Sequence, residues 1–408
     1  MYVNASIRVI LIAFIAYVAT VEVTWGQVRL GYEAVELNAA YTGDMVSNHT
    51  GGIRRGTVYL HNIDLSLSVD AGALMGWNGA SFFVYGLGNH GGSPSELVGD
   101  AQGLNNIEAP ATGKVFEAWL EQRLFHDRVS VRAGLYDVNT EFDAHETGGL
   151  FINSSHGVGP DFSQSGLNGP SIFPVTSVGV RIRWRISPRL HVQSAVLDGV
   201  PGSLDSDRGT HIRFGRDDGL LITSEVAYFS RHASEFPHSG PGHPNKIALG
   251  LWTYTGAYKD VRAHSDAYAA RTHRGTYGVF ALGEWPLFRE TTDPLQGISV
   301  YARVGMADPR VHRFDAYMGA GAVYTGLVAG RPEDQIGLAV AAAHNGRPFM
   351  RDQPRPVETA ETTVEGSYLL TLSSRLSFQL DVQYIVNPNT DPARDNSLAT
   401  TMRLVVSL

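Results

Sequence analysis

Residues 178–186 place three guanidinium groups at alternate positions: Arg181, Arg183 and Arg185 fall between Val180, Ile182, Trp184 and Ile186. Successive side chains of an extended strand point to opposite faces, so one face carries a ladder of arginines and the other an apolar strip. Glu117, Trp119 and Glu121 alternate with Phe116, Ala118 and Leu120, and Arg132 and Tyr136 alternate with Val131, Ala133 and Leu135. A wall offering carboxylate acceptors, guanidinium donors and aromatic rings exchanges hydrogen bonds with a hydroxyl-rich solute and stacks on the apolar face of a sugar ring. Rows of charge also set ion preference in a channel. The plainer alternative is that these side chains pair with one another and keep the wall hydrated and rigid.

Other chemistry is weakly signalled. His232, His238 and His243 crowd one connection, but their spacing matches no regular metal-ligand pattern, and no metal or cofactor is expected. Ser154, Ser155 and His156 are adjacent without an elbow motif or an ordered acid partner, so the chain is not expected to be an enzyme. There is no cysteine, which excludes thiolate sites and disulfide staples.

The elements that must carry these faces are strands. The end of the chain alternates, with Leu398, Thr400, Met402, Leu404, Val406 and Leu408 opposed by Ala399, Thr401, Arg403, Val405 and Ser407. Strand fifteen alternates likewise: Leu376, Phe378, Leu380, Val382 and Tyr384 against Ser377, Gln379, Asp381 and Gln383. Period-2 segments bounded by turn residues are expected at 33–43, 56–71, 80–88, 114–124, 129–137, 178–186, 190–198, 220–229, 247–255, 276–285, 298–305, 314–327, 336–343, 361–372, 376–386 and 398–408. Sixteen is an even number, and the expected fold is an all-β transmembrane antiparallel barrel of about 16 strands. In water the arginine face would be solvent-exposed. In a barrel it lines the interior, because a lipid-facing charge costs about 2–4 kcal/mol at midplane.

Short periplasmic turns should then follow even-numbered strands and long outer loops odd-numbered ones. The links after strands four, six and fourteen are short, whereas 89–113, 138–177, 199–219, 256–275 and 344–360 are long. The long 230–246 link after strand eight is an exception, from a wrong count or an elaborated turn. The longest link, 138–177, is the third outer loop and is expected to fold into the lumen. It carries Asp143, His145, Glu146, Phe151, Asn153, His156, Asp161 and Phe162, charge and aromatic faces suited to a polar solute. Asp143, Glu146, Phe151 and Asp161 are the candidate constriction residues.

The chain has 408 residues and a net charge of −8, which gives no sign of a nucleic-acid partner. Arg8, the apolar run 9–19 and the small residues Thr24 and Gly26 read as a secretory signal peptide over 1–26, leaving 27–408 as a single barrel domain. No other run approaches the roughly 20 apolar residues of a membrane helix. Forty-five glycines and seventeen tyrosines suit tight turns and aromatic girdles, and with three lysines nearly all positive charge is arginine.

Several stretches together resemble the carbohydrate-selective porins of the OprB type. They are Asn48-His-Thr-Gly-Gly52, Tyr59-Leu-His-Asn-Ile-Asp-Leu-Ser-Leu-Ser-Val-Asp70, Gly76-Trp-Asn-Gly-Ala-Ser-Phe82, Val98-Gly-Asp100, Glu117-Ala-Trp-Leu-Glu-Gln122, Arg132-Ala-Gly-Leu-Tyr-Asp-Val-Asn-Thr-Glu-Phe142, Phe151-Ile-Asn153 and Leu197-Asp-Gly-Val-Pro-Gly202. The resemblance implies a sixteen-stranded channel of the bacterial outer membrane for passive uptake of monosaccharides, glucose foremost. Small sugars and outer-membrane lipids would be its partners, and its narrowest point an arginine and a glutamate. Arg132 with Glu117 or Glu121 is the expected pair. The oligomeric state stays open between a homo-oligomer, such as the trimers common among general porins, and a monomer. Leu408 departs from the Phe with which outer-membrane barrels usually end. The alternatives are a general or anion-selective porin and, from a different class, a barrel enzyme or a structural barrel whose loops bind partners.

Overall fold

The structure, a computed structural model, describes residues 34–206, 208–230, 245–262, 264, 271–291 and 293–407. Its strands are β1 Val35–Thr50, β2 Gly56–Asp70, β3 Ala80–Gly91, β4 Thr112–Leu124, β5 Val129–Tyr136, β6 Ser177–Arg185, β7 Leu190–Asp198, β8 Leu220–Phe229, β9 Lys246–Lys259, β10 Thr272–Arg289, β11 Gly297–Ala307, β12 Phe314–Thr325, β13 Gln335–Asn345, β14 Ala360–Ser373, β15 Leu376–Val386 and β16 Ser397–Ser407. Each pairs antiparallel with its neighbours in sequence, and β1 pairs with β16, so the sheet closes as a barrel without an edge. Closure gives every strand a hydrogen-bonded partner on both sides, which a spanning sheet needs where no water is present.

All sixteen expected strands appear. β8 and β9 pair directly from Leu221↔Tyr254 to Phe229↔Lys246, so the strand count stands and the link between them is long. His232, His238 and His243, residues 1–33 and Leu408 lie outside the described residues.

Alternation sets the two faces. Val180, Ile182 and Trp184 are exposed on the outside of β6, whereas Arg181 between them is fully buried. Tyr59, Tyr277 and Tyr384 are exposed near one end of the barrel and Trp184, Tyr228 and Phe288 near the other, the two aromatic girdles of a membrane barrel.

Two local departures have physical causes. The first segment is expected to end at 43, yet β1 runs on to Thr50, because Asp44 stands opposite Arg403 of β16 and accepts its Nε at 2.8 Å and Nη2 at 2.7 Å. Phe116 was expected opposite Glu117, but both are buried. The β3–β4 register shifts at Tyr85/Gly86, and a bulge lets consecutive residues depart from alternation. The Phe116 ring packs edge-on against Tyr85 and Phe173.

The link 137–176 is hydrogen-bonded to side chains of β8, β10, β12, β14 and β15. Glu225 of β8 accepts the Asp143 N–H at 2.9 Å, and Glu284 of β10 accepts those of Glu146 and Thr147 at 3.0 and 3.1 Å. Glu365 of β14 accepts the N–H groups of Ile152 and Asn153. Gln379 of β15 donates to the Leu150 carbonyl at 2.6 Å, and Tyr317 of β12 to that of Ser155 at 2.7 Å. Small residues make the room: a Cβ on Gly321 would stand 2.6 Å from Tyr301 and 3.1 Å from Phe151, and one on Gly337 would stand 2.6 Å from Leu150.

Candidate functional site

The polar faces of β4, β5 and β6 meet at one carboxylate that the sequence did not single out. Glu141 begins just after the turn of 3-10 helix Val138–Thr140 that follows β5. It accepts Arg181 Nε at 2.8 Å and Nη2 at 2.9 Å, and Arg183 Nη2, while Arg132 Nη1 lies 3.6 Å away. Tyr136 donates its hydroxyl to the same group at 2.7 Å. Burial pushes this carboxyl up, but Arg183, Arg132 and Arg181 together hold it down at about 2.

A second carboxylate bridges the arginines from β4. Glu121 Oε2 accepts Arg181 Nη2 at 2.7 Å and Arg132 Nε at 3.0 Å. The Arg132 guanidinium lies 3.8 Å from the Trp119 ring centroid and 5.3 Å from that of Tyr136, close enough for cation–π attraction. Trp119 is also stacked on Phe83 at 5.0 Å, and its Nε1 donates to Glu117 at 3.1 Å. Glu117 also accepts the Asp137 N–H at 3.2 Å.

Seven of the eight candidate wall residues therefore join one network: Glu117, Trp119, Glu121, Arg132, Tyr136, Arg181 and Arg183. Arg185 stands apart, its side chain reaching, among the described residues, the His126 carbonyl of the turn 125–128 at 3.5 Å. Exposure differs across the network: the Arg181 side chain is 0% exposed, whereas Arg183 (34%), Glu121 (15%) and Arg132 (13%) keep accessible surface.

Of the link residues expected to face a polar solute, Glu146 is exposed and His145 half-buried. Asp143, Phe151, Asn153, His156, Asp161 and Phe162 are all buried. Asp143 and Asp161 flank Arg303 of β11, which the sequence reading did not identify although it is an isolated charge in an apolar strand. Glu146 is tied through its backbone to Glu284. Phe151 packs 6.2 Å from Tyr301, and Phe162 stacks on Trp252 at 5.3 Å and 12°. Burial drives the His145 ring down to about 3 and the His156 ring down to about 4, so both are neutral near pH 7. Ser155 donates to the Gln102 carbonyl and His156 Nδ1 pairs with the Tyr301 hydroxyl at 2.6 Å, so no serine–histidine dyad forms.

Residues 54–408 match the family described as carbohydrate-selective porin, OprB family. The chain is 21% identical to Porin B of Pseudomonas aeruginosa over 417 residues, 93% of this chain and 89% of that protein. The barrel superposes on the high-pH structure of Pseudomonas putida OprB with a TM-score of 0.81 at 18% identity, covering 92% of this chain and 94% of that one. The low-pH structure of the same protein gives 0.57 at 17% identity, over 92% and 93%. Its relatives are channels rather than enzymes, and the chain belongs to the carbohydrate-selective porins of the OprB family, β-barrel channels of the bacterial outer membrane.

Proposed function

We propose that this barrel conducts monosaccharides, glucose foremost, by passive diffusion, with residues 1–26 directing export and 137–176 folded into the lumen to narrow it. The observation that carries this is the network in which Arg132, Arg183 and Glu121 keep accessible atoms beside the Trp119 ring. A sugar passing there trades hydration for hydrogen bonds with paired donors and acceptors. Because the bonds are shared among neighbours, no single contact traps it, as conduction requires. The family's description as carbohydrate-selective and the name of its relative Porin B support the same reading.

A general or anion-selective porin is less well supported, because the network sets three arginines, Arg132, Arg181 and Arg183, against Glu121 and Glu141, which they contact, and Glu117, which lies in the field of Arg132 and is bonded to Trp119 and the Asp137 N–H. Such a wall carries no excess charge to sort ions. Reconstitution in planar bilayers tests the proposal: glucose should reduce the ion current in a saturable way, and liposome swelling should be faster with hexoses than with disaccharides. An open channel that glucose never blocks would overturn it.

A further inference from the structure

A cavity opens on the inner wall beside the arginine network. It holds about 350 Å³ and is lined by Asn38, Asp64, Ser66, Phe83, Tyr85 and Ser407, on β1, β2, β3 and the end of β16. Register places these side chains on one face: Ala40 stands opposite both Asp64 and Ser407, Asn38 opposite Ser66, and Ser66 opposite Tyr85. That face is the inward one, since Asp44, four residues on from Ala40, is buried against Arg403. Among the described residues no hydrogen bond or ion pair joins 137–176 to β1, β2, β3 or β16. Asn38 is the fourth residue of β1 and Ser407 the last of β16, so the cavity lies toward the end of the barrel where β14 and β15 join by a short turn.

Several polar atoms of its lining are open to a solute. Asp64 Oδ1 accepts the Asn62 amide at 2.7 Å and the Tyr85 hydroxyl, whereas among the described residues no hydrogen bond reaches Oδ2. Among the same residues the hydroxyls of Ser66 and Ser407 make no side-chain hydrogen bond, and the Asn38 oxygen accepts none. Phe83 is held in plane by its stack on Trp119, 5.0 Å away at 27°. A carboxylate oxygen, two hydroxyls and an amide beside a fixed ring match the alternating hydroxyls and apolar face of a pyranose. The lining has one acid and no base, which favours a neutral solute over an anion.

We propose that this cavity is a second sugar subsite, receiving a neutral monosaccharide from the Arg132 network and holding it before release at the short-turn end. The proposal rests on the sugar-channel function. It gives the path two weak stations instead of one, which lets a solute move on as the next one enters.

Single-channel recording of the full chain with glucose on either side tests it. Asp64→Asn keeps the shape of the cavity and removes its charge; Ser66→Phe fills it. Each variant should conduct salt as the parent does, which reports a folded barrel with its arginine network intact. Each should also weaken glucose block about fivefold, the loss of roughly one good polar or stacking contact. Parental block in both variants, with block still lost in Glu121→Gln, would overturn the second subsite and leave the channel function standing. Absence of glucose block in the parent would overturn both.

Discussion

Arg303 on β11 grips Asp143 in a two-pronged pair, Nε to Oδ1 at 3.1 Å and Nη2 to Oδ2 at 2.6 Å, with all the atoms buried. The same guanidinium also holds Asp161, so two points of the link 137–176, eighteen residues apart in sequence, are pinned by one side chain. The planar fork of arginine suits this arrangement, whereas a lysine offers a single point charge.

Removing the pin should release the link. Arg303→Ala leaves two buried carboxylates facing each other without a cation, a loss of about 3–5 kcal/mol for a broken buried pair. The expected outcome is a barrel that still resists heat in detergent but is cut by protease within 137–176 and conducts with larger, noisier steps. Protection equal to that of the parent would show that the backbone bonds to Glu225, Glu284 and Glu365 suffice.

Glu141 is the anion that three arginines share, so Glu141→Gln should leave Arg132, Arg181 and Arg183 with only Glu121 among them. Ion selectivity should move toward anions, read as a shift of reversal potential in a salt gradient. Because these arginines hold the carboxyl down at about 2, its charge persists through mild acid, and the difference between parent and variant should be the same at pH 7 and pH 5. Stability should fall by about 1–3 kcal/mol, since glutamine still accepts hydrogen bonds but not as an ion. An unchanged reversal potential would place the arginines away from the ion path.

Strands with strict alternation were legible: Leu376–Val386 and Ser397–Ser407 appear with the faces expected from their residues. What alternation cannot convey is pairing between distant segments. Asp44 falls outside the first expected segment until Arg403 is placed across from it, and the bulge that buries Phe116 depends on the register with β3. Glu141 and Arg303 escaped for a related reason, since Glu141 meets Arg181 and Arg183 across 40 and 42 residues and Arg303 meets Asp143 and Asp161 across 160 and 142. A signal was present for both. Glu141 lies within the Arg132–Phe142 stretch that resembles the family, and Arg303 is a lone charge amid Val300, Ala302 and Val304.

The bare patches of β12 and β13 should be intolerant of side chains. A Cβ on Gly321 stands within about 3 Å of Tyr301, Ala339 and Phe151, so Gly321→Val must push Phe151 and its link away. Overpacking of this kind costs about 1–3 kcal/mol. The barrel should still assemble, because Gly321 pairs through its backbone with Tyr301 and Ala339 of the adjoining strands. Ala320→Val, one residue along and on the outer face, should have little effect. Equal protease sensitivity of the two variants would contradict the docking of Phe151 on this patch.

His156 gives the fold an acid-sensitive element whose sign is definite. Burial lowers its ring from 6.5 to about 4, so between those values the unfolded chain binds a proton that the folded chain refuses. The stability it permits is whole above about pH 6.5 and is lost as pH falls through that window, on the order of 3 kcal/mol once pH 4 is reached. His156→Gln has no proton to take up and lacks this slope. Melting temperatures of both proteins, measured from pH 7.5 to pH 4, should therefore converge or cross as the medium is acidified, with the parent losing ground. Buried carboxyls such as Asp143, which burial raises to about 6, add slopes of opposite sign, and those away from the ring are common to both proteins and cancel in the difference, whereas Glu365, 3.3 Å from His156 Nε2, is coupled to the substitution. A gap between the two curves that stays constant over the whole range would mean that the His156 ring meets water in the folded barrel.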